Sequence, residues 1–207
     1  MAERLLPAAI GFSSHSGWTA VVCLGGSDSS PAVIERSRWL LTSSPLPREP
    51  YHDAKRGRPE EAEKIVAAAA EEARALAVQA ISGLTTAVEA RGYEVVASGV
   101  VLGGGRPGVT LSRALSSHAA MHGAEGWMFR EALIEASQKC GLRAVGVPER
   151  ELLARAAAAL GTTGNAVSEL IHQIGRRHGP PWGRDQKTGA MAAMIALHSV
   201  SAETPRP

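Results

Sequence analysis

Three apolar stretches near the start of the chain predict β-strands. Residues 7–12 form a short apolar run that ends in a small polar turn at 13–17, and residues 18–24 are again apolar and rich in β-branched side chains. Residues 31–41 form a third such stretch. Apolar runs bounded by glycine and serine are typical of strands joined by tight turns. We therefore predict a hairpin that the third strand extends.

The rest of the chain predicts helices that alternate with two further strands. Residues 42–58 are rich in proline, serine and arginine, which is typical of a loop, and Pro59 with its following glutamates then favours a helix start. Glycines at 92 and 141 favour helix ends. We predict long helices at 59–91 and 111–140, strands at 95–102 and 143–147, and helices at 149–160, 165–177 and 185–200.

The predicted order of elements is β-β-β-α-β-α-β-α-α-α. This order predicts a single α/β domain over residues 1–200, with a mixed sheet that is antiparallel in its first three strands and parallel afterwards, and with helices on both faces. A length of 207 residues with 44% hydrophobic content is sufficient for the core of one such domain. We predict that residues 201–207 form a flexible tail.

Composition narrows the functional classes. The formal net charge of +2 is too small to indicate nucleic-acid binding through an overall field, so that function requires a local basic patch. No apolar run approaches transmembrane length, and the opening residues lack the apolar stretch of a secretion signal. Cys23 and Cys140 lie in apolar surroundings without metal-type spacing, which is typical of a reducing compartment. We therefore expect a cytoplasmic location and no membrane partner.

Two groups of motifs carry a resemblance to a known family. Residues 9–13 (AIGFS) and 17–22 (GWTAVV) are similar to the first two strands of the RuvC-type Holliday-junction resolvases of the ribonuclease-H-like superfamily. The match is closer near the end, where the segment 141–148 (GLRAVGVP), two short helices, Gly-Pro-Pro at 179–181 and Asp185 before an alanine-rich helix follow the resolvase order. The resemblance spans nearly the whole chain and implies the ribonuclease-H-like fold.

The resemblance also implies a site for two metal ions. Members of the family cut nucleic acid with metals held by carboxylates, one on the first strand, one on the fourth and two that are one turn apart on the last helix. In this chain the first position falls near Ser13, the second near Gly99, and the last two on Asp185 and Thr188. Only Asp185 is acidic. We therefore expect that the chain keeps the fold and has lost the two-metal nuclease chemistry.

A polar triplet interrupts the apolar face of the second long helix. His118, His122 and Glu125 lie within a narrow sector of one helix face, between apolar residues of the same sector. Burying them is costly unless they are paired, hydrogen-bonded or bound to metal, and two imidazoles with a carboxylate match the ligands of zinc and non-haem iron. The alternative is a polar cluster satisfied internally, with Glu125 paired to a histidine or to Arg130.

If this helix starts just after the fourth strand, as the resemblance implies, the triplet lies near Asp185. The predicted site, both catalytic and metal-ligating, then consists of His118, His122, Glu125 and Asp185. The ion would be a divalent metal: Zn, Mn or Mg. His15 and His52 are further candidates, although a single histidine is more often a surface or turn residue.

Asp185 has two interpretations. It is typical of an acid that stabilises a helix N-terminus. Gly189, Ala192 and Ala196 lie on its side of the helix, however, and such a stripe of small residues indicates close packing on the sheet. This packing would direct Asp185 inward.

A basic loop before the last helix is a candidate nucleic-acid contact. It combines cations with an aromatic side chain: Arg176, Arg177, Trp182 and Arg184. Arginines bind phosphates and an indole stacks on bases. The alternative is a solvated loop that Trp182 anchors to the core.

These observations support three functional hypotheses. The leading one is a degenerate RuvC-like protein that binds nucleic acid, such as branched DNA or RNA, or a protein partner, without two-metal nuclease activity. The alternative is a metal-dependent phosphoester hydrolase or nuclease with a rebuilt His/Glu/Asp site. The third is a structural subunit that forms a homodimer through the helix predicted at 59–91.

Overall fold

The computed structural model describes residues 5–27 and 30–201. The strands of this part of the chain are β1 (Leu6–His15), β2 (Trp18–Ser27), β3 (Ser30–Leu40), β4 (Tyr93–Leu102) and β5 (Arg143–Pro148). They form a five-stranded sheet in the order β3-β2-β1-β4-β5. The pairs β3–β2 and β2–β1 are antiparallel, and β1–β4 and β4–β5 are parallel. The mixed sheet predicted from the sequence is confirmed.

Helices cover both faces of the sheet. They are α1 (Pro50–Arg56), α2 (Pro59–Glu89), α3 (Leu111–Ala114), α4 (His118–Lys139), α5 (Leu152–Ala159), α6 (Gly164–His178) and α7 (Arg184–Ser201). The helices α2 and α4 pack with Ile10 and Phe12 of β1 in one core cluster. The helices α5, α6 and α7 pack with Val22 and Val101 in a second cluster on the other face.

The helix α1 lies where the sequence predicted a loop at residues 42–58. It has Pro50 in its first turn and buries His52 and Ala54. Seven residues are too few for a helix to be stable alone, so its stability comes from packing against α2 and α4. A periodic pattern cannot reveal such a short element, which is why the prediction missed it.

The helix predicted at 111–140 is broken into α3 and α4. Ser117 has an extended backbone, with φ of −156°, and its side chain accepts a hydrogen bond from the backbone N–H of Ala120 at 3.2 Å. A serine in this conformation is a helix N-cap. The break makes His118 the first residue of α4, so the position of His118 is set by a cap rather than by a continuous helix.

Close packing of α7 on the sheet positions Asp185. A Cβ atom at Gly11 of β1 would lie 1.8 Å from the carbonyl oxygen of Gly189, and one at Gly99 of β4 would lie 2.1 Å from that of Ala192. These distances leave no space for any side chain, so the backbone of α7 rests directly on β1 and β4. The close packing expected from the small residues of this helix is confirmed.

The predicted tail at 201–207 lies outside the described residues, apart from Ser201 at the end of α7. Among the helices of residues 5–27 and 30–201, none has both the length and the apolar character needed to cross a lipid bilayer.

Candidate functional site

Four polar residues meet where the end of β1 faces the first turn of α7. The hydroxyl of Ser13 donates to Asp185 Oδ1 at 3.2 Å, and His15 Nε2 lies 2.9 Å from the same oxygen. Thr188, one turn along α7, donates to Ser13 Oγ at 3.1 Å. Alternation along β1 places Ser13 and His15 on the face that α7 covers. We call these residues the Asp185 cluster: Ser13, His15, Asp185 and Thr188.

A cavity of about 190 Å³ opens beside the Asp185 cluster. The rest of its wall is formed by Ser14, Val101, Gly103, Arg130, Glu149 and Arg184. Arg184 Nη2 lies 2.6 Å from Glu149 Oε1, and this ion pair is exposed. The guanidinium of Arg130 lies over Gly103 and donates to the carbonyl oxygen of Gly104 at 3.1 Å. Two guanidinium groups therefore face the same cavity as Asp185.

Arg130 reaches this cavity from α4, on the other face of the sheet. Burial lowers the pKa of its guanidinium from the ordinary value, and the negative charge of Glu149 acts in the opposite direction. Arginine stays protonated even under such conditions. The cavity therefore contains a partly desolvated positive charge at the end of β4.

The predicted triplet forms a separate group around α1. Glu125 is fully buried, and its Oε1 accepts hydrogen bonds from the backbone N–H groups of Tyr51 and His52 at 3.2 and 3.3 Å. The same oxygen lies 2.9 Å from His52 Nδ1, while Glu125 Oε2 lies 3.7 Å from His122 Nδ1. One imidazole nitrogen from each of three residues lies within 4.8 Å of the others. We call these residues the histidine cluster: His52, His118 and His122.

The structure does not bring the histidine cluster to Asp185. The cluster is formed by α1 and α4, whereas Asp185 lies on α7 at the opposite face of the sheet. His122 precedes Arg130, which reaches the cavity, by eight residues, or about 12 Å at the helical rise. The four residues predicted as one site therefore divide into two groups, because α4 and α7 lie on opposite faces of the sheet.

Comparison with known proteins places this arrangement in a fold. The sequence matches no protein-family model, and the search of curated proteins found no match. The chain is similar to the solved structure of RuvC from Thermus thermophilus in complex with Holliday junction substrate, with a TM-score of 0.54 and 10% identity over 97% of this chain and 98% of that one. It is also similar to a structure of Thermus thermophilus RuvC with a TM-score of 0.52 and 12% identity, over 97% and 99% of the two chains.

The chain has a RuvC-like, ribonuclease-H-like fold. The likeness extends over nearly the full length of both chains, and the five-stranded mixed sheet agrees with it. The expected resemblance and the expected fold class are both confirmed. An identity of 10–12% demonstrates the fold alone, so the chemistry has to be argued from the residues of this chain.

The residues of the Asp185 cavity do not fit two divalent metal ions. Gly99 was expected near the second acidic position. It pairs in the sheet with Gly11, which lies two residues before Ser13. The β4 residue that lines the cavity is Val101. Neither Gly99 nor Val101 carries a carboxylate. Two hard cations need several negative ligands. Among the described residues that line the cavity, the carboxylates are those of Asp185, already bonded to His15 and Ser13, and Glu149, already paired with Arg184.

The basic loop is held to the protein at several points. Trp182 is partly buried against Gly175, and its Nε1 donates to the carbonyl oxygen of Ile171 at 3.0 Å. Arg36 of β3 donates to the carbonyl oxygens of residues 179, 180 and 181 at 2.8, 3.1 and 2.6 Å. The indole therefore anchors the loop, as in the alternative considered above.

The three arginines predicted to contact nucleic acid differ in position. Arg176 pairs with Glu169 at 3.2 Å on α6, and Arg177 is exposed near the end of the same helix. Arg184 lies at the Asp185 cavity with 81% of its side chain exposed. Of these three arginines, Arg184 is the one that lines the Asp185 cavity.

Sequence reasoning missed a stack of side chains next to the Asp185 cluster. The rings of His15 and Trp18 are parallel, with centroids 4.2 Å apart and an angle of 9° between them, and the guanidinium of Arg38 lies 3.8 Å from the indole centroid on Trp18. The pairing of β2 with β3 brings Arg38 near Trp18. The stack follows from the register of the β2–β3 pair, and that register could not be predicted from the sequence pattern.

Proposed function

We propose that this RuvC-like chain binds branched nucleic acid at the Asp185 cavity and does not cleave it by two-metal chemistry. The observation that carries the proposal is the composition of the cavity wall. Hydroxyls of Ser13 and Thr188 stand where the family resemblance implies carboxylates, and guanidinium groups of Arg130 and Arg184 face the same space. Hydroxyls and arginines are ligands for phosphate oxygens, whereas a pair of divalent cations needs carboxylates.

A net charge of +2 is too small for nucleic-acid binding through an overall field, so binding requires a local basic patch. The positive charges near the cavity supply such a patch. Arg38 lies on the indole of Trp18 beside His15, and Arg184 projects from the start of α7. Arginines at a common edge attract the phosphate backbone without regard to sequence. The similar Thermus structure contains a Holliday junction substrate, so four-way junction DNA is the first ligand to test.

Replacing Arg184 is expected to weaken junction binding. In the Arg184→Ala variant a phosphate contact is lost and Glu149 is left without its ion-pair partner, so we expect the dissociation constant to rise about tenfold, or ~1.4 kcal/mol. The slope of affinity against salt concentration should fall by about one unit. Fluorescence anisotropy of a labelled four-way junction in EDTA measures both quantities.

The matched control for this experiment is Arg74→Ala. Arg74 is also an ion-paired surface arginine, with Glu71 and Glu135 as partners at 3.4 Å, but it lies on α2 at the other face of the sheet. Its removal is expected to leave junction affinity unchanged. Equal losses in the two variants, or no junction binding by the wild-type chain, would contradict the proposal.

The proposal includes a cytoplasmic location. Cys23 and Cys140 are both free, and burial, followed by the charge of Glu35, raises the pKa of the Cys23 thiol to about 12. A thiol of that kind is inert rather than redox-active. A protein partner, and a homodimer formed through α2, stay predictions.

A further inference from the structure

We propose that His52, His118 and His122 form a binding site for a divalent transition metal, with Zn²⁺ as the best-fitting ion, and that Glu125 orients the ligands without binding the metal. This inference goes beyond nucleic-acid binding, since the histidine cluster lies apart from the Asp185 cavity. It also differs from the sequence-based prediction, because His52 replaces Asp185 among the ligands and Glu125 has a supporting position.

The geometry of the histidine cluster is close to that of a metal site. His118 and His122 are one turn apart on α4, with ring centroids 4.4 Å apart, and the ring of His52 lies 5.0 Å and 4.7 Å from them. The three candidate ligand nitrogens lie within 4.8 Å of one another. In a tetrahedral zinc site, with Zn–N bonds of about 2.1 Å, ligand nitrogens are about 3.4 Å apart. Small rotations of the exposed His118 and His122 rings are sufficient to reach that spacing.

The buried histidine has a free nitrogen that needs a partner. Only 10% of the His52 side chain is exposed, and its Nδ1 faces the fully buried carboxylate of Glu125 at 2.9 Å. A proton on Nδ1 donates to this carboxylate, which leaves the lone pair on Nε2. In the described part of the chain, His52 Nε2 is buried and has no hydrogen-bond partner. Buried polar atoms are nearly always satisfied, and a metal ion would satisfy this one.

Glu125 has the contacts of a residue that orients metal ligands. Its Oε1 holds His52 Nδ1 and the two N–H groups at the start of α1, so one carboxylate fixes both the ring and the helix that carries it. Its Oε2 lies 3.7 Å from His122 Nδ1 and has no hydrogen-bond partner of its own among the described residues. A carboxylate behind a histidine ligand fixes the tautomer and raises ligand basicity.

The donor set selects the class of metal. Three neutral imidazoles suit Zn²⁺ and similar transition ions, whereas Mg²⁺ and Ca²⁺ require oxygen ligands. His118 and His122 are exposed, with 49% of the His122 side chain accessible, so a fourth coordination position faces solvent. A site with three protein ligands and an open fourth position is typical of a centre that binds a water molecule or an exogenous ligand.

The test is equilibrium dialysis of the tag-free chain against micromolar Zn²⁺, with bound metal determined by elemental analysis. We expect one Zn²⁺ per chain for the wild type and a loss of this binding in His118→Ala and in His122→Ala. Both side chains are exposed, so these variants should fold normally, which circular dichroism checks. Replacement by Co²⁺ should give the visible absorption of a tetrahedral site in the wild type only.

Two controls define the position of the site. His172→Ala removes an exposed histidine of α6, and Asp185→Asn alters the other cluster; both are expected to bind Zn²⁺ like the wild type. Absence of stoichiometric Zn²⁺ in the wild type, or unchanged binding in His118→Ala, would overturn the proposal whatever the result of the junction-binding assay.

The orienting role of Glu125 is tested by Glu125→Gln. This variant keeps an oxygen that accepts the Tyr51 and His52 N–H groups and removes the negative charge behind the imidazole. We expect the dissociation constant for Zn²⁺ to rise about 10- to 100-fold, with the urea midpoint showing that the chain is folded. Zn²⁺ affinity equal to that of the wild type would remove Glu125 from the site.

Discussion

Gly11→Ala is expected to lower the free energy of unfolding by at least about 3 kcal/mol, the upper end of the usual cost of overpacking. The added Cβ would lie 1.8 Å from the carbonyl oxygen of Gly189 and 2.8 Å from the backbone N of Ala193. These atoms belong to the helix backbone and cannot rotate away, so α7 must move off β1. Urea unfolding followed by circular dichroism measures the loss.

The control for this variant is Gly83→Ala. Gly83 lies on the exposed side of α2, where an added Cβ meets no atom within 4 Å. Alanine in a helix interior is more favourable than glycine by about 0.5–1 kcal/mol, so this substitution should stabilise the chain. If Gly11→Ala unfolds at the same urea concentration as the wild type, α7 does not rest on β1 as described.

Glu125→Ala is expected to lower the free energy of unfolding by about 3 kcal/mol in metal-free buffer. The substitution removes the acceptor of one part-buried donor, the N–H group of Tyr51, and of two buried donors, the N–H group and the ring nitrogen of His52. A buried donor without an acceptor costs about 1–3 kcal/mol. Removal of the buried carboxylate also removes the cost of its desolvation, which offsets part of this loss of stability. Thermal and urea unfolding in EDTA give the change in stability.

Glu135→Ala is the matched control on the same helix. The side chain of Glu135 is 47% exposed and contacts Arg74 at 3.4 Å, so its loss should change the stability by less than about 1 kcal/mol. Equal stabilities of the two variants would mean that Glu125 does not hold α1 in place.

The sequence predicted the sheet and the long helices because their patterns are local. The strands β1, β2 and β4 are apolar runs bounded by glycine and serine, and α2 has alanines at Ala69, Ala73 and Ala77 that all face the core. The helix α1 was missed because a short helix depends on its neighbours. The break at Ser117 was missed because a capping serine looks the same in the sequence as a solvent-exposed one.

The candidate sites were predicted less well because they depend on relations between distant segments. The sequence predicted Asp185 as a site residue because it begins a helix with a stripe of small residues. In the structure its carboxylate contacts Ser13, which lies 172 positions away in the sequence. Prediction also recognised the polar triplet of α4, but it could not know that α1 brings His52 to Glu125. The position of α4 on the face of the sheet opposite α7 then separates these residues from Asp185, and no local pattern encodes that arrangement.

We expect this RuvC-like chain to bind branched DNA without two-metal cleavage, and incubation of the purified wild-type chain with labelled four-way junction DNA in Mg²⁺ and in Mn²⁺ examines binding and cleavage together. The expected result is a retarded protein–DNA complex on native gels together with intact strands on denaturing gels. Strand cleavage that depends on the divalent ion and disappears in Asp185→Asn would contradict it.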